Sequence, residues 1–173
     1  AAQAYRAYLG LDIARSEGLI PPDDEELIDY DEKGITDPKC SVCHTTLDPL
    51  SYPFSRYNGI SGMASGSYDR DRLERPEFSQ QAEDIEDIPE KGFLFGQEVD
   101  DLVEWADVAA NSDAFAQATV TDYWRITLGS KPTAAQLDEF NTLWQDFKDA
   151  SKHNYRVEKM LHALIRTEAY GVP

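Results

Sequence analysis

Cys40-Ser41-Val42-Cys43-His44 spells C-x-x-C-H, and it contains both cysteines of the chain. Two thiols three positions apart can add across the two vinyl groups of one porphyrin. The adjacent histidine then lies on the proximal face, where its imidazole can ligate iron. The pattern predicts one covalent haem c, bound through Cys40 and Cys43 with His44 as an axial ligand. Two other chemistries use C-x-x-C. A thioredoxin-like dithiol needs a βαβ setting and a thiol of lowered pKa at a helix start. The segment before Cys40, residues 31–39, is polar and turn-rich and does not read as a strand. A structural zinc site usually takes four Cys or His ligands, and there is no second cysteine pair. The other histidines, His153 and His162, are far from the motif in sequence.

Working outward, 173 residues with 41% hydrophobic and 28% charged content fit a single globular domain with its own core. No apolar run approaches the roughly 20 residues of a bilayer span, and no signal peptide is visible. Covalent haem attachment takes place outside the cytoplasm, so a secreted or periplasmic protein is expected. On that expectation a signal has been removed, or the domain is cut from a longer chain. A formal net charge of −17 makes nucleic acid and anionic membrane poor partners. It suits solubility outside the cell and attraction to a basic partner surface.

The fold is expected to be all-α, cytochrome c-like, with long loops and a C-terminal helical bundle. The motif and loops occupy 36–96 and the helical part 97–170. Tyr5, Tyr8, Leu9 and Ile13 predict a helix over 1–16 that Gly18 ends. Prolines break the apolar stretch Leu47–Phe54, which is expected to cover a haem edge. Residues 58–66 are small and glycine-rich, allowing close approach to a flat group. Residues 67–96 carry few regular signals and read as a long polar loop. Helices are expected over about 97–110 and 113–128, the second stopped by Gly129. Thr133-Ala134-Ala135-Gln136 predicts a capping box, followed by an apolar face of Leu137, Phe140, Leu143, Trp144 and Phe147. A last helix is expected to be capped by Asn154 and to carry Val157, Met160, Leu161, Leu164 and Ile165.

The sixth iron position decides the chemistry. Methionine raises the potential, a second histidine lowers it, and an open position admits ligands. Met63, in the small-residue loop, is the first candidate and Met160 the alternative. His153, His162 or an open site remain. Arg56 and Tyr57 are the nearest candidates to seat the haem propionates, followed by Arg70, Arg72 and Arg75, then Trp105, Tyr123, Trp124 and Arg125. The second ring nitrogen of His44 is expected to donate to a backbone carbonyl of the Leu47–Pro53 segment.

Cys40 to His44, Asp48-Pro49-Leu50, Phe54 and Tyr57-Asn58-Gly59-Ile60 together resemble planctomycete-type cytochrome c domains. Phe115 to Gly129 and Tyr155 to Tyr170 are similar to the helical domain that follows in those proteins. Leu128-Gly129-Ser130 lacks that family's arginine, and Thr167-Glu168-Ala169-Tyr170 replaces its serine–phenylalanine ending. Ser61-Gly62-Met63-Ala64 stands where the family has Gly-Arg-Trp-Arg, so the family supplies no distal methionine. The chain also resembles cytochrome modules of secreted polysaccharide-degrading proteins of marine bacteria. That likeness implies a redox protein partner, for which a copper-dependent lytic polysaccharide monooxygenase is the candidate. The expected function is a single-haem electron-transfer module, a monomer as an isolated domain. The rival is a haem enzyme or ligand sensor with an open distal site, resembling a peroxidase.

Overall fold

Tyr5 and Leu9 lie one helical turn apart, and on helix α1 (Ala2–Leu9) both are buried while Tyr8 faces outward. The helix ends well short of residue 16. Gly10 takes a left-handed φ of 66°, and the Leu11 N–H turns back to the Tyr5 carbonyl at 3.1 Å. This computed structural model describes residues 1–13, 38–58, 66–72 and 89–171. The expected stop at Gly18 lies outside them, as do Met63 and Arg75. The chain is mostly helical and divides into two compact units, Ala1–Ala2 with Asp12–Val108 and Gln3–Leu11 with Ala109–Pro173.

In the first unit the motif lies on helix α2 (Pro38–Ser51). Pro38 is the first helical residue, where its missing N–H costs nothing. Pro49 sits in the last turn, and a 3₁₀ turn (Tyr52–Phe54) carries the chain onward. The two prolines thus bound a helix where sequence reading expected a broken loop. Strand β1 (Tyr57–Asn58) pairs antiparallel with β2 (Ser67–Tyr68), Tyr57 opposite Tyr68. Strand β3 (Gly92–Leu94) pairs antiparallel with β4 (Gln97–Val99), Gly92 opposite Val99. Phe95 (φ 54°) and Gly96 (φ 76°) make the turn between them. Two successive left-handed residues match the strand twist of a tight hairpin, and Phe95 bears the strain of that conformation. These ribbons correct the all-α expectation in detail, and the hairpin pairs across residues 96 and 97, where the loops were expected to give way to helix.

Helix α3 (Leu102–Ala110) consequently starts later than expected. Asp101 caps it: its carboxylate accepts from the Val103 and Glu104 N–H groups at 2.9 Å each, while Glu104 reaches back to the Asp100 N–H at 2.7 Å. Trp105 is buried and meets Phe54 edge-on with ring centres 5.0 Å apart. Gly92 is buried against the end of α2. A Cβ there would fall 2.6 Å from Pro53 Cδ and closer still to the Pro49 carbonyl oxygen. Only a residue without a side chain lets the hairpin approach this near.

In the second unit, Ser112 caps helix α4 (Asp113–Leu128), its hydroxyl accepting from the Phe115 N–H at 3.1 Å. Gly129 ends it at φ 77°, as the sequence leads one to expect. The Thr133–Gln136 capping box forms around a 3₁₀ turn (Ala134–Gln136) that leads into α5 (Leu137–Lys148). Phe140, Leu143, Trp144 and Phe147 are buried, whereas Leu137 is exposed. They pack with Ala116, Val120 and Trp124 of α4 and with Met160 and Leu164 of α6 (Val157–Leu164). Trp124 and Phe140 meet edge to face at 5.7 Å. A short helix α7 (Glu168–Gly171) follows, its first N–H groups held by Glu139 at 2.7 and 3.1 Å.

Asn154 does not cap α6. It and Tyr155 adopt left-handed φ values of 48° and 56°, and Arg156 is the residue before the helix. The loop is held instead by Asp149, whose carboxylate accepts from the Ser151 hydroxyl and N–H at 2.7 Å each. Those bonds, the hydroxyl first and the N–H second, hold the Asp149 carboxyl below its usual range.

Gly92→Ala forces the hairpin away from Pro49 and Pro53. It is expected to lower the unfolding free energy by about 1–3 kcal/mol in a urea titration. A second prediction concerns pH. Because the Asp149 pKa is depressed in the folded chain, its contribution is present above the unfolded value of about 3.9 and disappears as pH falls through the lower folded value. Asp149→Asn should therefore lower the melting temperature at neutral pH, and the gap to the parent chain should close on acidification below about pH 4.

Candidate functional site

Positions 40, 43 and 44 fall within one turn and on one face of α2, because residues three and four apart on an α-helix are neighbours. The side chains of Cys40 and Cys43 are outside the described part of the structure. That of His44 is described, half-buried at 39% side-chain exposure. Asp48 stands one turn further on, again on that face. His44 Nδ1 lies 3.0 Å from each of its carboxylate oxygens. A carboxylate only accepts, so Nδ1 carries the proton and donates. Among the described residues Nε2 makes no hydrogen bond, which leaves it as the ring nitrogen free to ligate.

The expected backbone acceptor within Leu47–Pro53 is thus replaced by a side chain. The reason is helical: the site one turn beyond His44 offers its side chain to that face, while helical carbonyls point along the axis. The Asp48 carbonyl itself accepts from the Ser51 hydroxyl at 2.8 Å, at the end of the helix. Nothing in the sequence reading singled out Asp48 as a partner of His44. The i, i+4 spacing of the two was the available signal, but it counts only once the stretch is known to be helical.

Arg56 follows the 3₁₀ turn. Its guanidinium makes a two-pronged bridge to Glu90, Nε to Oε2 at 2.6 Å and Nη2 to Oε1 at 2.7 Å, and also donates to the Arg70 carbonyl. The Arg56 side chain is 17% exposed and Glu90 31%. Arg72 donates to the Ser55 carbonyl and, at 3.1 Å, to the Tyr57 carbonyl. The Ser55 hydroxyl donates to the Pro89 carbonyl at 2.8 Å. The segment after the motif is therefore tied to residues 89–90 and 69–72 by arginine forks and carbonyls. The Arg56 fork faces Glu90, Arg70 is exposed, and the Tyr57 side chain is exposed on its strand.

The remaining candidates lie elsewhere. Trp105 is buried against Phe54 in the first unit. Trp124 is fully buried in the core of the second unit, its indole N–H without a partner among the described residues. Tyr123 packs against that core, and Arg125 is exposed. Met160 is fully buried in the same core, among the aromatic and aliphatic side chains of α4, α5 and α6. His162 is exposed. His153 is half-buried, its Nδ1 covered and unpaired among the described residues. Among the described residues no three His, Cys, Asp or Glu side chains gather to hold a metal ion. No described helix is long and apolar enough to cross a membrane. No family model, curated protein sequence or solved structure matches the chain.

The Arg56–Glu90 bridge is two-pronged and partly shielded, so its loss matters more than that of an exposed pair. Glu90→Gln is expected to lower stability by about 1–3 kcal/mol in chemical unfolding. An unchanged urea midpoint would show that the bridge contributes nothing net.

Proposed function

We propose that the chain is a single-haem c-type cytochrome of cytochrome c-like fold, related to planctomycete-type domains, that works outside the cytoplasm as an electron carrier and not as an enzyme. The observation that carries this reading is the histidine of a C-x-x-C-H motif held on a helix by Nδ1, with Nε2 unpartnered among the described residues. The donor set fits haem c: two cysteines at helix positions one turn apart, and next to the second a histidine whose Nδ1 is held by Asp48. When bound, the haem iron supplies reversible one-electron exchange between the ferric and ferrous states. Cys40 and Cys43 would tether the group and His44 would ligate it, with Met63 the preferred second ligand and Met160 the alternative. Arg56 and Tyr57 remain the nearest groups to the propionates by sequence. Arg56 can serve there only by sharing or releasing Glu90.

The partner in this reading is an extracellular redox enzyme, with a copper-dependent lytic polysaccharide monooxygenase as the candidate. Such a partner would take one electron at a time from the bound haem, and a separate one-electron donor would return it, while this chain's residues hold and orient the group. The net charge of −17 suits docking on a basic surface. The His44–Asp48 pair also favours a second reading, an open-site haem enzyme or sensor, because a carboxylate on Nδ1 makes a proximal imidazole a stronger electron donor to iron.

The test is to express the chain in a host that performs c-type maturation. Haem that stays with the polypeptide through denaturation supports the proposal, as does its loss on replacing Cys40 and Cys43 by Ala. Haem that separates on denaturation sinks it. A low-spin ferric spectrum supports the carrier, and a high-spin one the open site. Met63→Ala should abolish any sulfur-to-iron charge-transfer band at the red end of the ferric spectrum. A band that persists removes Met63 as the ligand.

A further inference from the structure

We propose that Asp48 is a positioning residue for the iron ligand: its carboxylate holds the Nδ1 proton of His44, presents Nε2 for ligation, and biases bound haem toward the ferric state, so that the module is an electron donor. The inference rests on the haem reading above. It adds a residue that shifts the potential, and in which direction.

The geometry is specific. Both carboxylate oxygens stand 3.0 Å from Nδ1, so the proton is shared across the whole anion. Asp48 is the more covered of the two partners, with 19% side-chain exposure against 39% for His44. A covered carboxylate is poorly screened by water. Both residues sit on α2 one turn apart, so helix geometry alone holds the pair together. A neutral carbonyl in the same place would fix the tautomer but add no charge. An anion does both, because it draws the Nδ1 proton and raises the electron density at Nε2. Ferric iron carries one more positive charge than ferrous iron. An electron-richer ligand and a nearby negative charge therefore stabilise the oxidised form, and the ferrous form gives up its electron more readily.

The experiment compares the haem-loaded parent chain with Asp48→Asn and Asp48→Glu by spectroelectrochemical titration at one neutral pH. Asparagine keeps the size and an accepting oxygen but removes the charge, so orientation survives while the electrostatic bias goes. The expected result is a higher potential for Asp48→Asn. A tenfold shift toward ferrous iron at fixed applied potential corresponds to 59 mV for one electron. Asp48→Glu, which restores the charge, should lie nearer the parent. An Asp48→Asn potential equal to that of the parent, with covalent haem and circular dichroism retained, overturns the proposal. Should Asp48→Asn fail to load haem, the ferrous parent protein labelled with ¹⁵N-histidine answers instead. A downfield Nδ1 proton that exchanges slowly with water supports the bond to Asp48, and one in rapid exchange overturns it. Failure of the parent chain itself to retain haem through denaturation is a different result, which removes the haem reading and not the hydrogen bond.

Discussion

The close approach of Gly92 to Pro49 and Pro53 is the contact on which the described part of the first unit depends. Strands of two and three residues cannot persist alone in water and need a face to pack on. For β3 that face is the end of α2. Where a side chain would separate the backbones, Gly92 lets the hairpin sit directly against the Pro49 carbonyl and the Pro53 ring. Leu50, Leu94, Val99 and Trp105 are then all buried, and Phe54 closes on Trp105. The helix that bears the motif is thereby fixed at its C-terminal end, only a turn beyond His44.

That anchoring matters for the histidine because tautomer and orientation are transmitted through the helix. Asp48 is followed directly by Pro49, whose carbonyl meets the hairpin, and Ser51 holds the Asp48 carbonyl. The carboxylate that grips His44 therefore stands on backbone that packing has immobilised. On the far side of the 3₁₀ turn, Arg56 and Arg72 stitch the following segment to Glu90 and to the carbonyls of Ser55, Tyr57 and Arg70. Among the described residues of this unit, polar clamps thus add to the apolar packing of Leu50, Leu94, Val99 and Trp105.

Legibility in the sequence followed the same division. In the second unit, long amphipathic periods and strong punctuation agree: Gly129 ends α4, Thr133 and Gln136 form their capping box, and Phe140, Leu143, Trp144 and Phe147 line one buried face. Local preference and tertiary packing there ask for the same structure. In the first unit they do not. Apolar residues are not segregated along α2, and Pro38 and Pro49 read as breakers although one is harmless at a helix start and the other falls in the final turn. Strands β3 and β4 are too short to show a period, and their turn uses Phe95-Gly96 where Asn-Gly would have announced a hairpin. Asp101 and Glu104 carry a start signal for α3, a capping acid followed three residues on by a glutamate. The candidate motif stands out as C-x-x-C-H in composition and spacing. Its Asp48 partner was hidden, because an i, i+4 pair has meaning only on a helix.

In the proposed role, two sources of negative charge act on the iron in one direction, and their reach decides which governs. The chain carries 33 acidic against 16 basic residues, and a field of that sign favours the more positive, ferric state. At physiological ionic strength, however, exposed charges lose most of their influence beyond about 8 Å. Distributed acidity then mainly steers a basic partner toward the surface. Asp48 differs because it touches the ligand: it acts through a bonded proton at 3.0 Å and through the imidazole ring, not across solvent. Added salt should therefore weaken docking far more than it moves the potential. The two properties of an electron donor, finding its acceptor and holding its electron loosely, would then rest on different residues and could be altered one at a time.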